Sequence, residues 1–422
     1  MLETAHRAVK NAQQAIVSGQ YTQAVALVDK AMTLVQSMPA LPEWDEVRFA
    51  LLLERGRARE LMGDYAGIED YVQVREHATN PAHRAMALAG IAECRTGSGE
   101  YEAAETAYRK ALEESQPAGY NLCTIRSWSG LGTLYWKQGR LDEAVQALLQ
   151  ARAVLRHTPD VYEMGRTLIS LGITHQYAGR LDQAIAAYEE ALCCFRSVGD
   201  NHRVAAVLNN LGELHQELQA LERALAYHEE AIAVAHEVGG DRIGVDITRN
   251  IGVDLLLLGR YTEAMMALNQ ALSDARKLGD KDFILQALYS LGDALLRQGE
   301  VERALMIVAE LIVESKEVKS EIHAARAKYL QGRAHLANGE RATAQAVFQN
   351  ALGEAHATTN RMLLWQLHAA LGRAAESPEL AQVHFRIAAD FIRQTVEPLT
   401  DPEMRAQFLE QPEVQAVLER AE

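Results

Sequence analysis

Two patterns of apolar and polar positions alternate along the chain. In the first, a leucine is followed four residues later by a bulky side chain, as with Leu131 and Tyr135. In the second, apolar residues fall at steps of three and four, as with Ala184, Tyr188, Ala191 and Leu192. Residues so spaced share one face of an α-helix, so the alternation predicts pairs of amphipathic helices. A glycine separates the members of each pair and recurs every forty residues, at Gly99, Gly139, Gly179, Gly259, Gly299 and Gly339, with Gln219 alone breaking the series. Glycine tolerates the left-handed conformation that ends a helix. Two residues later stands Tyr or Leu in most copies (Tyr101, Leu141, Leu181, Leu221, Tyr261), and three beyond that an alanine: Ala104, Ala144, Ala184, Ala224, Ala264, Ala304 and Ala344. Such self-similarity marks one helical hairpin copied in series, stacked without a single globular core.

Ten hairpins are expected, near residues 1–38, 43–79, 82–116, 120–158, 160–199, 201–239, 241–279, 281–318, 320–358 and 360–396. Pro39, Pro42, Pro81, Pro117 and Pro159 fall where one hairpin hands over to the next, where they interrupt no helix. Later handovers use Gly199-Asp200, Gly239-Gly240-Asp241 and Gly279-Asp280, which is turn and cap chemistry. The regularity divides the chain into degenerate repeats over 1–80, a core array over 81–358, and a degenerate last repeat with a capping helix over 359–422. In that tail Phe408, Leu409, Val414, Val417 and Leu418 are expected to cover the last apolar face. The fold class is all-α, an α-solenoid.

The cleanest copy reads Trp128-Ser-Gly-Leu131-Gly132-Thr-Leu-Tyr135, then Gly139, Leu141, Ala144, Leu148 and Ala151. The Leu-Gly pair returns at 131–132, 171–172, 211–212, 291–292 and 371–372, with Ile251-Gly252 in phase. This resembles the tetratricopeptide repeat family, whose unit carries W-x2-L-G-x2-Y followed by spaced small and large apolar residues. The period of forty exceeds the usual thirty-four, as in the repeats of kinesin light chains and of bacterial peptide-sensing regulators. The resemblance covers nearly the whole chain. It implies a right-handed superhelix whose first helices line a concave groove, and a peptide or a flexible segment of a protein partner as its ligand.

Counting from the Leu-Gly leucine places the groove-facing positions. Arg126, Arg166 and Arg326 lie five residues before it; Asn209, Arg249, Tyr289 and Tyr329 lie two before; Asn210 and Asn250 lie one before. Glu213, Asp293 and Arg333 follow it by two, and Trp136, Gln176 and Gln216 by five. An Asn side chain donates and accepts, which suits an extended backbone irrespective of sequence. Arg forks onto a carboxylate. Arg166, Asn210, Arg249 and Asn250 cluster in three adjacent repeats and are the leading candidates. Polar side chains are also ordinary on any solvated helix face, so the same residues have a purely architectural reading.

With 57 acidic and 42 basic residues, the net charge of −15 disfavours direct attraction to nucleic acid or anionic lipid. No apolar run long enough to span a membrane occurs, and the start, MLETAHRAVKN, lacks the apolar core of a secretion signal; a cytoplasmic protein is expected. Cys94, Cys123, Cys193 and Cys194 form no CxxC pair and read as reduced, buried thiols, with neither disulfide nor metal.

The 14 histidines and the glycine-rich turns carry no catalytic pattern. His175, His215 and His335 take the place of Tyr135 in their repeats and read as packing residues; His228 and His236 stand eight apart without HExxH; His83, His202 and His323 sit near hairpin starts, where a surface position is expected. No glycine precedes a lysine, which excludes a P-loop, and GxSxG is absent. The expectation is a binding module with no cofactor, no metal site and no catalytic residue. The segment from Leu399 to Val414 also resembles the C-terminal ends of large bacterial signalling proteins with a tetratricopeptide sensor array. That implies a sensor or adaptor region of such a regulator. The alternative is a scaffold or self-associating homo-oligomer with no groove ligand.

Overall fold

The computed structural model describes the chain apart from residues 39–40, 159, 238, 240, 359–360 and 398–401, and apart from the side chains of 241, 356–358, 361, 403, 404 and 407. Pro39, Pro159, Gly240 and Pro398 therefore lie outside the described residues. Helix follows helix with no strand among the described residues. The pairs are α1 (Leu2–Val17) with α2 (Tyr21–Gln36), α3 (Pro42–Leu61) with α4 (Ile68–His77), α5 (Pro81–Gly97) with α6 (Tyr101–Ser115), α7 (Asn121–Lys137) with α8 (Leu141–His157), and α9 (Val161–Tyr177) with α10 (Leu181–Val198). They continue as α11 (Asn201–Glu217) with α12 (Leu221–Glu237), α13 (Asp241–Leu257) with α14 (Tyr261–Leu278), α15 (Lys281–Arg297) with α16 (Val301–Glu317), α17 (Glu321–Ala337) with α18 (Arg341–Thr358), and α19 (Arg361–Ala374) with α20 (Pro378–Val396). Two short helices end the chain, α21 (Pro402–Leu409) and α22 (Pro412–Ala421).

The tail thus differs from the single capping helix expected, because Pro412 cannot continue α21 and instead opens α22 at a first-turn position. Phe408, Val414 and Val417 are buried, and α22 packs on α20.

Local chemistry explains the hairpins. Gly139 has φ +74° and ends α7, its N–H donating to Trp136 O (2.9 Å) while Arg140 N–H reaches back to Tyr135 O (2.9 Å). At the position where the series loses its glycine the backbone does the same thing: Gln219 has φ +58°, and Ala220 N–H donates to His215 O at 2.9 Å. Pro42 and Pro81 open α3 and α5, while Asp160, Asp200 and Asp280 accept backbone N–H groups at helix starts. The Leu-Gly glycines admit the neighbouring helix. A β-carbon at Gly172 would overlap the Tyr188 ring, and one at Gly332 the Phe348 ring. Ala144, Ala184, Ala264, Ala304 and Ala344 are fully buried at the same crossings.

The chain forms two compact units, one of residues 1–178 and 183–207, the other of 179–182 and 208–422. In the first, buried apolar residues run from Ala5 and Phe49 through Tyr71, Tyr108 and Leu131 to Leu148. In the second, a continuous core joins Leu225, Leu268, Leu288, Leu330, Phe348 and Leu371.

Candidate functional site

In the first unit, the side chains of the first helices meet one another. Arg57 of α3 donates to Glu163 of α9 at 2.5 Å, bridging 106 residues of sequence. Arg126 of α7 is only 3% exposed and is paired with Glu93 of α5 and with Glu60 of α3 (3.4 Å). Arg166 of α9 reaches Glu163 at 3.2 Å and Glu93 at 3.8 Å. The turn between α1 and α2 completes the arrangement. Gly19 stands so close to Asp200 that a β-carbon there would lie 3.0 Å from its Oδ1, and the Tyr21 and His202 rings are 6.1 Å apart, edge to face.

Burial and charge separate the three carboxyls. Burial, reinforced by the charge of Glu93, pushes Glu60 up to about 8, so it carries a proton at neutral pH. Burial would raise Glu93 as well, but Arg126 and Arg166 outweigh it and hold Glu93 below the usual range. Glu163 is held at about 2 because Arg166 and Arg57 overcome its burial. Between these helices lies a pocket of about 180 Å³, lined by Glu60, Glu93, Arg126 and Arg166, the hydroxyls of Ser129, Thr133 and Ser170, and Lys137 at the rim. The structure brings Arg126 and Arg166 together here, but Arg126 is enclosed by carboxylates of its own chain instead of standing open to solvent.

The second unit treats its candidates in three ways. Asn250 Nδ2 donates to Asn209 Oδ1 and to Glu213 Oε1, both at 2.9 Å, so these two asparagines are buried partners (1% and 5% exposed). Asn210 is half-buried. Arg249 is held by Asp246 of its own helix at 2.8 Å. Tyr329 is buried under Arg333, which with Arg297 encloses Asp293; Arg297 also lies 3.6 Å from Glu413 of α22. Half-buried Arg326 lies over half-buried Tyr289, 5.4 Å from its ring centroid, with no carboxylate in ion-pair range among the described residues.

Other groups were not foreseen. Glu93 sits forty residues before Thr133, at the position two after the reference residue that Glu213 and Asp293 occupy, so extending the register back one repeat finds it. Arg57 and Glu60 escape that register because the second hairpin is out of step with the period of forty. There Gly56 packs against Tyr71 much as Gly172 packs against Tyr188. His228 takes the place held by Leu148 and Leu268, and its Nδ1 lies 2.5 Å from Asp254 Oδ2, both side chains fully buried. Gln216 donates to the other Asp254 oxygen at 2.7 Å. His323, expected at the surface, is buried with 5% exposure and hydrogen-bonds Ser320. Of the four cysteines expected to be buried, Cys94 and Cys123 are, Cys194 is half-buried and Cys193 is exposed on the outer side of α10. Gly244 leaves a hollow of about 450 Å³ near Ile232, Val245 and Leu278, where the preceding and following repeats carry Val204 and Ile284. Among the described residues no group of three or more His, Cys, Asp or Glu is placed to hold a metal, and no helix is long and apolar enough to cross a membrane.

Comparison with solved structures gives the same arrangement of helices. A Rap protein complexed with Competence and Sporulation Factor is similar over 94% of this chain and 100% of its own, with 14% identity and a TM-score of 0.63. The apo form of the quorum sensor NprR from B. thuringiensis is similar over 81% of this chain and 97% of its own, with 16% identity and a TM-score of 0.61. The Rap conjugation gene regulator of plasmid pLS20, in complex with the Phr* peptide, is similar over 85% and 96%, with 13% identity and a TM-score of 0.54. At these identities the likeness is one of fold. No curated protein sequence matches the chain. The tetratricopeptide repeat model matches residues 83–157, 163–237 and 245–312, more than half of the sequence, and the chain belongs to the tetratricopeptide repeat family.

Proposed function

We propose that the chain is a non-catalytic binding module in which the first helices of the hairpins grip a peptide or a flexible segment of a protein partner, as the sensor or adaptor part of a bacterial, cytoplasmic signalling regulator. The observation that carries this reading is the pocket between α3, α5, α7 and α9, where Arg126 and Arg166 meet hydroxyls and an exposed lysine. Support comes from the fold likeness to a regulator solved with the Phr* peptide. In the second unit, Arg326 over Tyr289 offers a further cation with an aromatic floor. The acidic surface argues against direct nucleic-acid binding.

The test is affinity capture from the source lysate with the parent and with Lys137→Glu and Arg326→Glu variants. A specific partner lost on charge reversal, by about 1–3 kcal/mol in a follow-up titration, supports the reading. Equal retention by parent and variants removes it. A scaffold remains the second reading, favoured by exposed Met266, Met306 and Val313 on second helices, 70%, 66% and 57% exposed. Light-scattering mass that rises with concentration and is unchanged by either charge reversal would select it.

A further inference from the structure

The solvent side of α16, in the second unit, carries an apolar stripe. Glu302, Met306, Ala309, Val313 and Lys316 follow one another at steps of four, three, four and three, so they share one face of the helix, and all five are exposed. Half-buried Leu305 and Ile312 flank them. Met266 takes the place of Met306 one repeat earlier and is 70% exposed, which extends the patch onto α14. Charge is depleted around it. Where α10 and α12 carry Glu189-Glu190 and Glu229-Glu230, the same places in α14, α16 and α18 hold Asn269-Gln270, Ala309-Glu310 and Gln349-Asn350, and Glu310 is paired with Arg276. In a chain of net charge −15, a neutral apolar strip of this kind has the composition of an interface centre. A hollow of about 110 Å³ beside Met306, lined also by Met265, Asn269, Leu291 and Ile307, has room for one aliphatic side chain.

We propose that this stripe binds a second copy of the chain, α16 lying antiparallel on α16 about a two-fold axis at Ala309. The stripe is complementary to itself in that arrangement and no other partner is needed to explain it. A two-fold axis sets each residue against the one equally far on the other side of Ala309. Glu302 then faces Lys316, and Leu305-Met306 faces Ile312-Val313. Among the described residues neither Glu302 nor Lys316 has an ion-pair partner within its own chain, so each is free to pair across the axis. Ala309 is small, which lets the two helices approach at their crossing. A parallel arrangement would instead set Glu302 against Glu302 and Lys316 against Lys316. The proposal rests on the self-associating reading given above as the second and names the surface it uses; the groove-facing first helices stay free. Two crossed helices with a flanking methionine bury little area, so the pairing is reversible.

The experiment is sedimentation equilibrium of the full chain from about 5 to 500 µM at low salt, the range in which a small interface associates. The parent is expected to pass from one chain to two and to stop there, because a two-fold pairing closes on itself. Met306→Glu and Val313→Glu are expected to stay single throughout. Glu302→Lys and Lys316→Glu, each of which sets like charges opposite one another, should weaken association at least about fivefold. The double variant Glu302→Lys with Lys316→Glu should return to within about twofold of the parent. These side chains are exposed, so the fold is expected to survive; Met306→Gln and Val313→Gln replace any glutamate variant whose circular dichroism departs from the parent. A double charge variant no better than the single ones overturns the antiparallel pairing, as does mass that keeps growing beyond two chains. If the parent associates and the Met306 and Val313 variants do so equally, the self-associating reading stands and this surface falls. A parent that remains single at every concentration removes both.

Discussion

Arg57 and Glu163 form an ion pair across 106 residues of sequence, with side chains only 11% and 2% exposed. Repeat arrays are ordinarily held by neighbours, each hairpin touching the next. Here the second hairpin is tied to the fifth. Removing Arg57 leaves the buried Glu163 with Arg166 as its remaining partner, so Arg57→Met is expected to lower stability by about 1–3 kcal/mol in urea denaturation. Adding Glu163→Met should not recover all of it, since Arg166 also relies on Glu163. If Arg57→Met matches the parent, the pair contributes nothing to the fold.

Stability should depend on pH in two opposed ways. Glu163 titrates near 2 in the folded chain against 4.5 for a free carboxyl. Its contribution, about 3 kcal/mol, is complete above pH 4.5 and disappears as the pH falls toward 2. Glu60 is shifted the other way, to about 8. The folded chain binds that proton more tightly than the unfolded one, so the contribution is full below pH 4.5 and fades as the pH rises through 8. Urea midpoints should therefore decline between about pH 5 and pH 8 in the parent. Glu60→Gln should flatten that decline, and an unchanged slope would show that Glu60 is not the group responsible.

Gln219 holds a left-handed conformation at φ +58° where other hairpins place glycine. A side chain there costs about 1 kcal/mol. Gln219→Gly is expected to recover most of that and raise the melting temperature, whereas Gly139→Gln should lower it by a similar amount. Opposite signs at the two positions are the informative outcome, and equal signs would dissociate the turn conformation from stability.

His228 and Asp254 invite a substitution borrowed from the chain itself. In the register of forty, Leu148 and Thr174 stand where His228 and Asp254 stand two repeats later. His228→Leu alone should destabilise by about 2–4 kcal/mol, because Asp254 stays buried with Gln216 as its remaining partner. His228→Leu combined with Asp254→Thr should restore most of the loss. A double variant as weak as the single one would mean that the histidine packs by shape alone.

The hairpins were legible because helix pairing is local. Leu131 with Tyr135, the Gly139 turn and Ala144 each reflect contacts within some twenty residues, and the same demands recur in every copy. The face of the first helices was legible only as a set of positions. Counting from the Leu-Gly pair finds Asn209 and Asn250, but it does not reveal that they hydrogen-bond each other at 2.9 Å. Nor does it reveal that Arg126 is enclosed by Glu60 and Glu93. Those pairings depend on how hairpins are rotated against one another, and no short stretch of sequence encodes that rotation. The second hairpin's departure from the period hid Arg57 and Glu60 for the same reason.

The close approach of Gly19 to Asp200 sets an order on biosynthesis. Partners for the first hairpin's turn do not exist until roughly half of the polypeptide has left the ribosome. The hairpins that follow can form as they emerge, and α1 and α2 can pack on α3, but the first turn must wait, incompletely covered, for a helix start made much later. Chaperone dependence and proteolytic sensitivity of the nascent chain should therefore concentrate at its beginning, and end abruptly once α11 becomes available.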